Sequence, residues 1–112
     1  MASRSIDAPD LSSVVRRVGL LFQRAYAPDA DRPTWPEIEE LLGEGYARAL
    51  ALEGERADVE LRIGTIVRDA DRSSTTELRA LSARHAELDR NARWLRSLLA
   101  ELRGLGIEAA GR

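Results

Sequence analysis

The chain contains no cysteine and no lysine, few aromatic residues and no long apolar run. Without cysteine it forms no disulfide and offers no thiolate to a metal ion, which leaves the redox compartment open. Aromatic residues make up only 4% of its 112 residues, few for a compact enzyme with a substrate pocket. All 17 basic residues are arginine, which points to the coding bias of a bacterial genome of high GC content.

No apolar run approaches the roughly 18 residues that a membrane span needs. The N-terminal residues lack the apolar core of a signal peptide, so we expect a cytoplasmic protein with no membrane partner. The net charge of −2 gives no overall electrostatic attraction to nucleic acid. Charged residues at 32% beside 44% apolar residues are typical of long helices in one small domain.

The sequence predicts an all-α domain that spans residues 1–112 and begins with a short helix. Leucine, valine and other apolar residues recur at helical spacing over about 7–26. Asp7 can cap this helix, and Pro9 fits its first turn, where the missing N–H is tolerated. The following residues, 27–33, contain turn-forming residues and are predicted to be a linker.

Two capping boxes predict two longer helices. Thr34-Trp35-Pro36-Glu37 has threonine at the N-cap and glutamate three residues later, which indicates a helix over about 34–70. Ser74-Thr75-Thr76-Glu77 repeats the pattern and indicates a helix over about 74–103. Gly104 and Gly106 act as stop signals, and the residues from 104 to 112 are predicted to be a flexible tail.

The two longer helices each carry an uninterrupted heptad seam, which predicts an antiparallel coiled-coil hairpin. The second helix has its seam at Ile38, Leu42, Gly45, Ala49, Leu52, Arg56, Val59, Ile63 and Ile66. The third has its seam at Leu78, Leu81, His85, Leu88, Ala92, Leu95, Leu99 and Leu102. If Ile66 faces Leu78, the numbers of every facing pair add to 144, and small residues meet large ones in successive layers.

The second helix carries another stripe of small and apolar residues, roughly 150° around its axis from the seam. Glycine in a helix interior costs roughly 1 kcal/mol relative to alanine, so regularly spaced glycines indicate close approach of another helix. We therefore predict a protein interface at Gly43, Ala47, Leu50, Gly54, Ala57, Leu61 and Gly64.

The third helix carries a separate apolar patch at Trp94, Leu98 and Leu105. The short first helix has a single apolar face, so it cannot cover both this patch and the stripe. It can dock on its own hairpin or be swapped to a neighbouring copy. We therefore predict self-association into a dimer or larger bundle, or binding to another helical protein, and a function as scaffold, adaptor or regulatory binding protein.

Catalytic and metal-binding motifs are missing from the sequence. A lone seam histidine, His85, is typical of a tolerated polar core residue, although its role stays open. A di-iron bundle needs glutamate three residues before histidine, and that position holds Ser82. We therefore predict no catalytic residue, no metal site and no cofactor, which leaves a helical-bundle enzyme or metal carrier as a weak alternative.

Nucleic-acid binding is the stronger alternative. Arginines on the outer surfaces of the first and third helices could hold phosphates. Acidic residues are interspersed with them, and no helix-turn-helix spacing appears, so a solvated surface that balances the acidic second helix is the simpler explanation. The residues of this alternative are Arg16, Arg17, Arg79, Arg90, Arg93 and Arg96.

Overall fold

The protein is all α-helical in the computed structural model, which describes residues 10–27, 31–69 and 75–111. Three helices follow one another: α1 (Leu11–Tyr26), α2 (Trp35–Asp69) and α3 (Thr75–Ala110). Long α2 and α3 make most of the interhelical contacts and form the predicted hairpin, with the shorter α1 against it. The predicted cap at Asp7, the proline at Pro9 and the cap at Ser74 lie outside the described residues.

The capping box at the start of α2 forms as predicted. The Thr34 backbone N–H donates to Glu37 Oε2 at 3.0 Å, and the Glu37 backbone N–H donates to Thr34 Oγ1 at 3.4 Å. This hydrogen bond from Thr34 lowers the pKa of the Glu37 carboxyl, and Arg24 adds to the effect. The reciprocal bonds satisfy two backbone donors that the first turn of a helix otherwise leaves without partners.

The hairpin has the predicted register. Gly45 lies against the side chain of Leu99, as the sum of 144 requires. The buried apolar core is concentrated at the end of the hairpin that lies away from its turn, in the first half of α2 and from Leu88 onward in α3. Its members from the two seams are Ile38, Leu42, Ala49, Leu52, Leu88, Ala92, Leu95, Leu99 and Leu102. Toward the hairpin turn the seam residues are only half-buried, because no third helix covers them there.

The predicted end of the third helix is wrong. α3 continues through both glycines to Ala110, so most of the predicted tail is helical. Gly106 is buried against Trp35 and Ile38, where a Cβ atom would lie 2.5 Å from Trp35 Cζ3 and 3.0 Å from Ile38 Cγ2. The pair Ile38 and Gly106 also adds to 144, so the seam gains one further layer. Gly106 is a packing residue, and its contact outweighs its weak helix propensity.

Helix α1 packs antiparallel to α2 at the base of the hairpin. Arg17 Nη1 donates to Glu44 Oε1 at 2.8 Å, and Arg24 Nη2 lies 3.1 Å from Glu37 Oε2. The apolar face of α1 is buried at Val14, Val18 and Leu21. The molecule is therefore a three-helix base with a two-helix arm, 62 × 26 × 20 Å overall. Within the described ranges, no helix has an apolar stretch long enough to span a membrane.

Candidate protein-binding surface

The predicted stripe on α2 forms an outer face that no other described part of the chain covers. Its two leucines, Leu50 and Leu61, are 63% and 71% exposed. Beside Gly43 and Gly54, no described atom beyond the local helix lies within 4 Å of the position that a Cβ would take. We call the seven stripe residues between Gly43 and Gly64 the α2 outer face. It is a shallow apolar surface with open space above two of its glycines.

Helix α1 lies on the other side of α2. Its ion pairs reach Glu37 and Glu44, and a groove between the two helices is lined by Leu21 and Leu41. At about 100° per residue, Glu37 and Leu41 lie about a third of a turn or more from the middle of the outer face, whereas Glu44 lies nearer, about 100° from Gly43. α1 therefore docks on its own hairpin in this protomer and leaves the α2 outer face uncovered.

The apolar patch on α3 is partly buried within the protomer. Leu105 is only 9% exposed, and it lines a cleft together with Ala25 and Tyr26 of α1. Leu98 is half-buried and packs against the core. Trp94 remains 50% exposed at the edge of this packing. Of the two predicted interface regions, the α2 outer face thus leaves more of its large apolar side chains exposed, namely Leu50 and Leu61 against Trp94 alone on α3.

The arginines of the nucleic-acid alternative fall into two groups. Arg17 pairs with Glu44, Arg96 donates to Glu53 at 2.9 and 2.8 Å, and Arg93 Nε lies 3.0 Å from Asp89. The hydrogen bond with Glu44 raises the pKa of Arg17. Burial opposes this rise, whereas the charge of Glu44, and then that of Glu40, adds to it.

The other three arginines, Arg16, Arg79 and Arg90, are exposed and make no ion pair with the described residues. They are distributed over two helices, with Arg16 on α1 and the others on α3. Among the described residues, half of the predicted basic set thus has no neutralising partner, and the set is not gathered into one compact patch.

The hairpin resolves two charge conflicts that its register predicts, Arg62 against Arg84 and Glu53 against Asp89. Each of the four groups instead pairs with an opposite charge. Arg62 Nη2 lies 2.7 Å from Glu77, Arg84 Nη2 lies 2.9 Å from Glu55, and Arg56 Nη1 lies 2.9 Å from Asp89. Arginine side chains span a helical turn, so a group facing a like charge reaches the next carboxylate along the groove. No partner protein is needed for this relief.

The two polar seam residues lie at the edge of the core. Arg56 extends to Asp89, and its side chain is 31% exposed. His85 Nε2 lies 2.8 Å from Glu60 Oε1, with the histidine side chain 32% exposed. No polar or charged side chain is buried among the described residues. Arg56, although it occupies a seam position, is therefore not a buried polar group, because its long stem lets the guanidinium reach the surface.

Sequence reasoning missed two charged residues at the ends of the α2 outer face. Glu40 and Arg68 share the heptad position of Ala47, Gly54 and Leu61, each seven residues from the next. Both are exposed, and neither forms an ion pair with the described residues. Glu40 also lines the groove between α1 and α2, where its charge helps to raise the pKa of Arg17. The seven-residue spacing was the available signal. A stripe defined by small and apolar residues alone does not include these two charges.

The fold and this surface define the class of the protein as an all-α helical hairpin with an N-terminal helix docked at its base. Among the described residues, no group of three or more histidine, aspartate or glutamate side chains is arranged to hold a metal ion. No family model matches the chain, and comparison with curated proteins and with solved structures gives no significant match.

Proposed function

We propose that the protein is a non-catalytic protein–protein interaction module of a bacterial cytoplasm, which acts through the uncovered helical faces of its hairpin and self-associates. The observation that carries the proposal is the exposure of Leu50 and Leu61 on the α2 outer face. Isolated exposed leucines are ordinary. Here the two leucines share a face with three glycines, each of which weakens the helix by roughly 1 kcal/mol unless something is gained by close approach.

The rest of the chain supports a binding role over a role in the packing of the monomer. The glycines that serve the core, Gly45 and Gly106, are buried against large side chains, whereas a Cβ atom added at Gly43 or Gly54 would meet no described atom within 4 Å. Gly43 and Gly54 therefore have no packing partner among the described residues. Their small size becomes useful only when another helix approaches α2.

Replacement of Gly54 by leucine should weaken self-association without destabilising the monomer, so it tests the interface separately from the fold. The position is open, so the monomer accommodates the side chain, and helix propensity alone should stabilise it by about 0.5–1 kcal/mol. The same side chain blocks close approach of a partner helix. We expect Gly54→Leu to lower the mass measured by light scattering, with helicity by circular dichroism unchanged or higher.

Gly104→Leu is the matched control, because Gly104 lies in α3, is exposed and also has open space around it. It should gain the same helix stability and keep the wild-type mass. Equal masses for wild type, Gly54→Leu and Gly104→Leu would refute the proposed role of the α2 outer face.

A further inference from the structure

We infer that the partner of the α2 outer face is a second copy of this chain, whose α2 packs antiparallel against the first with Gly54 on the two-fold axis. This inference rests on the proposed function and specifies the partner and its orientation. Two independent observations carry it: the order of large and small residues along the face, and the opposite charges at its two ends.

The order of side-chain sizes along the outer face is self-complementary when α2 is reversed about Gly54. Leu50, four residues before the axis, then lies level with Asp58 at the edge of the second copy's face and one residue from its Ala57. Leu61, seven residues after the axis, lies opposite Ala47. Each exposed leucine thus lies opposite or next to an alanine, and glycine meets glycine at the centre. Large residues against small ones let two helices approach without voids or overlap.

The charges at the ends of the face have the same symmetry. Glu40 lies 14 residues before Gly54 and Arg68 lies 14 residues after it, about 21 Å away on either side at 1.5 Å per residue. An antiparallel pair therefore brings Arg68 of each copy to Glu40 of the other. Both side chains are exposed. Glu40 lies at the rim of the groove between α1 and α2, near Arg17, but forms no ion pair with the described residues. The hydrogen bond of Arg68 within the described residues goes to the neutral hydroxyl of Thr65 at 3.3 Å.

A parallel pair fails on both criteria. It stacks Leu50 on Leu50 and Leu61 on Leu61, so the leucines crowd while the glycines between them leave gaps. It also places Glu40 beside Glu40 and Arg68 beside Arg68, and like charges at such positions are destabilising. Sterics and electrostatics therefore select the same orientation.

The contact is limited in size, which bears on the expected affinity. The face from Gly43 to Gly64 spans 22 residues, or about 32 Å of helix. A single helix pair of that length buries less than the roughly 800 Å² per partner of a standard interface. We therefore expect a dimer that forms and dissociates with concentration rather than an obligate one.

Disulfide trapping tests the orientation, because the wild-type chain has no cysteine. Ala47→Cys and Leu61→Cys are prepared singly, mixed, oxidised mildly and analysed by intact mass spectrometry, which separates the three possible dimers. The inference predicts that the mixed 47–61 disulfide predominates over 47–47 and 61–61. The control pair is Ala86→Cys with Ala100→Cys, two exposed positions of α3 that are also 14 residues apart. This pair should cross-link only at the background rate.

Charge reversal provides a second measurement that does not depend on cysteine. Arg68→Glu and Glu40→Arg should each raise the dimer dissociation constant roughly tenfold, because each removes two exposed ion pairs and adds repulsion. The double variant restores the attraction in an antiparallel dimer and should return to near the wild-type value. In a parallel dimer the double variant keeps like charges together and gains nothing.

The outcomes separate the inference from the proposed function. Predominant 47–47 and 61–61 disulfides, or no trapping above the control pair, would overturn the antiparallel dimer. If trapping fails while Gly54→Leu still lowers the measured mass, the α2 outer face binds in another way and only the inference is wrong. If trapping fails and Gly54→Leu leaves the mass unchanged, both are wrong.

Discussion

Identical residues have opposite roles at neighbouring positions of α2, and the glycines show this most clearly. Gly45 faces the core and lies against the fully buried Leu99, whereas Gly43, two residues earlier, points into open space. A methyl group added at the first position has to displace a side chain with no room to move. A methyl group added at the second meets nothing.

We therefore expect Gly45→Ala to destabilise the fold by about 1–3 kcal/mol through overpacking. Gly43→Ala should instead stabilise it by roughly 0.5–1 kcal/mol through helix propensity. Urea unfolding followed by circular dichroism, at a concentration where the protein is monomeric, measures both changes. Equal effects at the two positions would contradict the assigned register.

Paired carboxylates make the stability of the fold depend on pH. Hydrogen bonds from Arg17 and Arg96 lower the pKa values of Glu44 and Glu53, respectively, in the folded state, against a smaller effect of burial. At pH values between the lowered folded pKa values and the unfolded pKa, the folded state thus binds fewer protons than the unfolded state. Their contribution is complete above the unfolded pKa of about 4.3 and is lost as the pH falls through the lower folded values.

We expect the free energy of unfolding to be nearly constant with respect to these two groups from pH 7 to 5 and to decrease below about pH 4.3. Glu44→Gln and Glu53→Gln should each reduce the loss of unfolding free energy below about pH 4.3, because each removes one of the two groups that cause it. Glu39→Gln is a suitable control, because Glu39 is exposed and forms no ion pair with the described residues. If Glu44→Gln and Glu53→Gln both lose stability with acid as the wild type does, these two carboxylates are not the cause of the pH dependence.

At the scale of helices, the end of α3 shows how tertiary contact overrides a local signal. Leu105, between the two glycines, is 9% exposed and lines the cleft with α1, whereas Ile107 is 65% exposed. The last turns of α3 therefore belong to the three-helix base, and they help to hold α1 in place.

Leu105→Ala should cost about 2–4 kcal/mol of unfolding free energy, as expected for a buried leucine. Ile107→Ala removes a side chain of similar size from the exposed side of the same turn and should change the stability by less than about 0.5 kcal/mol. Thermal and urea unfolding of the two variants measure the difference. A similar cost for both would mean that the end of α3 does not pack as described.

The sequence predicts the hairpin correctly because its register is determined by a repeated local pattern. Once Ile66 and Leu78 face each other, the two heptads place Gly45 against Leu99 without further information. The end of α3 was predicted wrongly because the stop signal at Gly106 is local, whereas the contact of Gly106 with Trp35 and Ile38 joins distant parts of the chain. The position of α1 could not be chosen from sequence either, since its single apolar face fits either surface.

At the scale of the whole molecule, the base and the arm differ in how much of their apolar surface they bury. The buried core residues of α2 and α3 lie toward the base, over 38–52 and 88–105, and the seam of the arm is half-buried. Ion pairs such as Arg62 with Glu77 and Arg84 with Glu55 bridge the arm on one side. The α2 outer face extends from the base along the arm, so a second copy would support both parts.

The absolute mass in solution tests this account most directly. Light scattering on a sizing column, run over a series of loading concentrations, reports the assembly without any substitution. For a dimer formed through the α2 outer face, we expect a mass that rises with concentration from 12.4 kDa toward twice that value. A mass of 12.4 kDa at every concentration would contradict self-association through the α2 outer face.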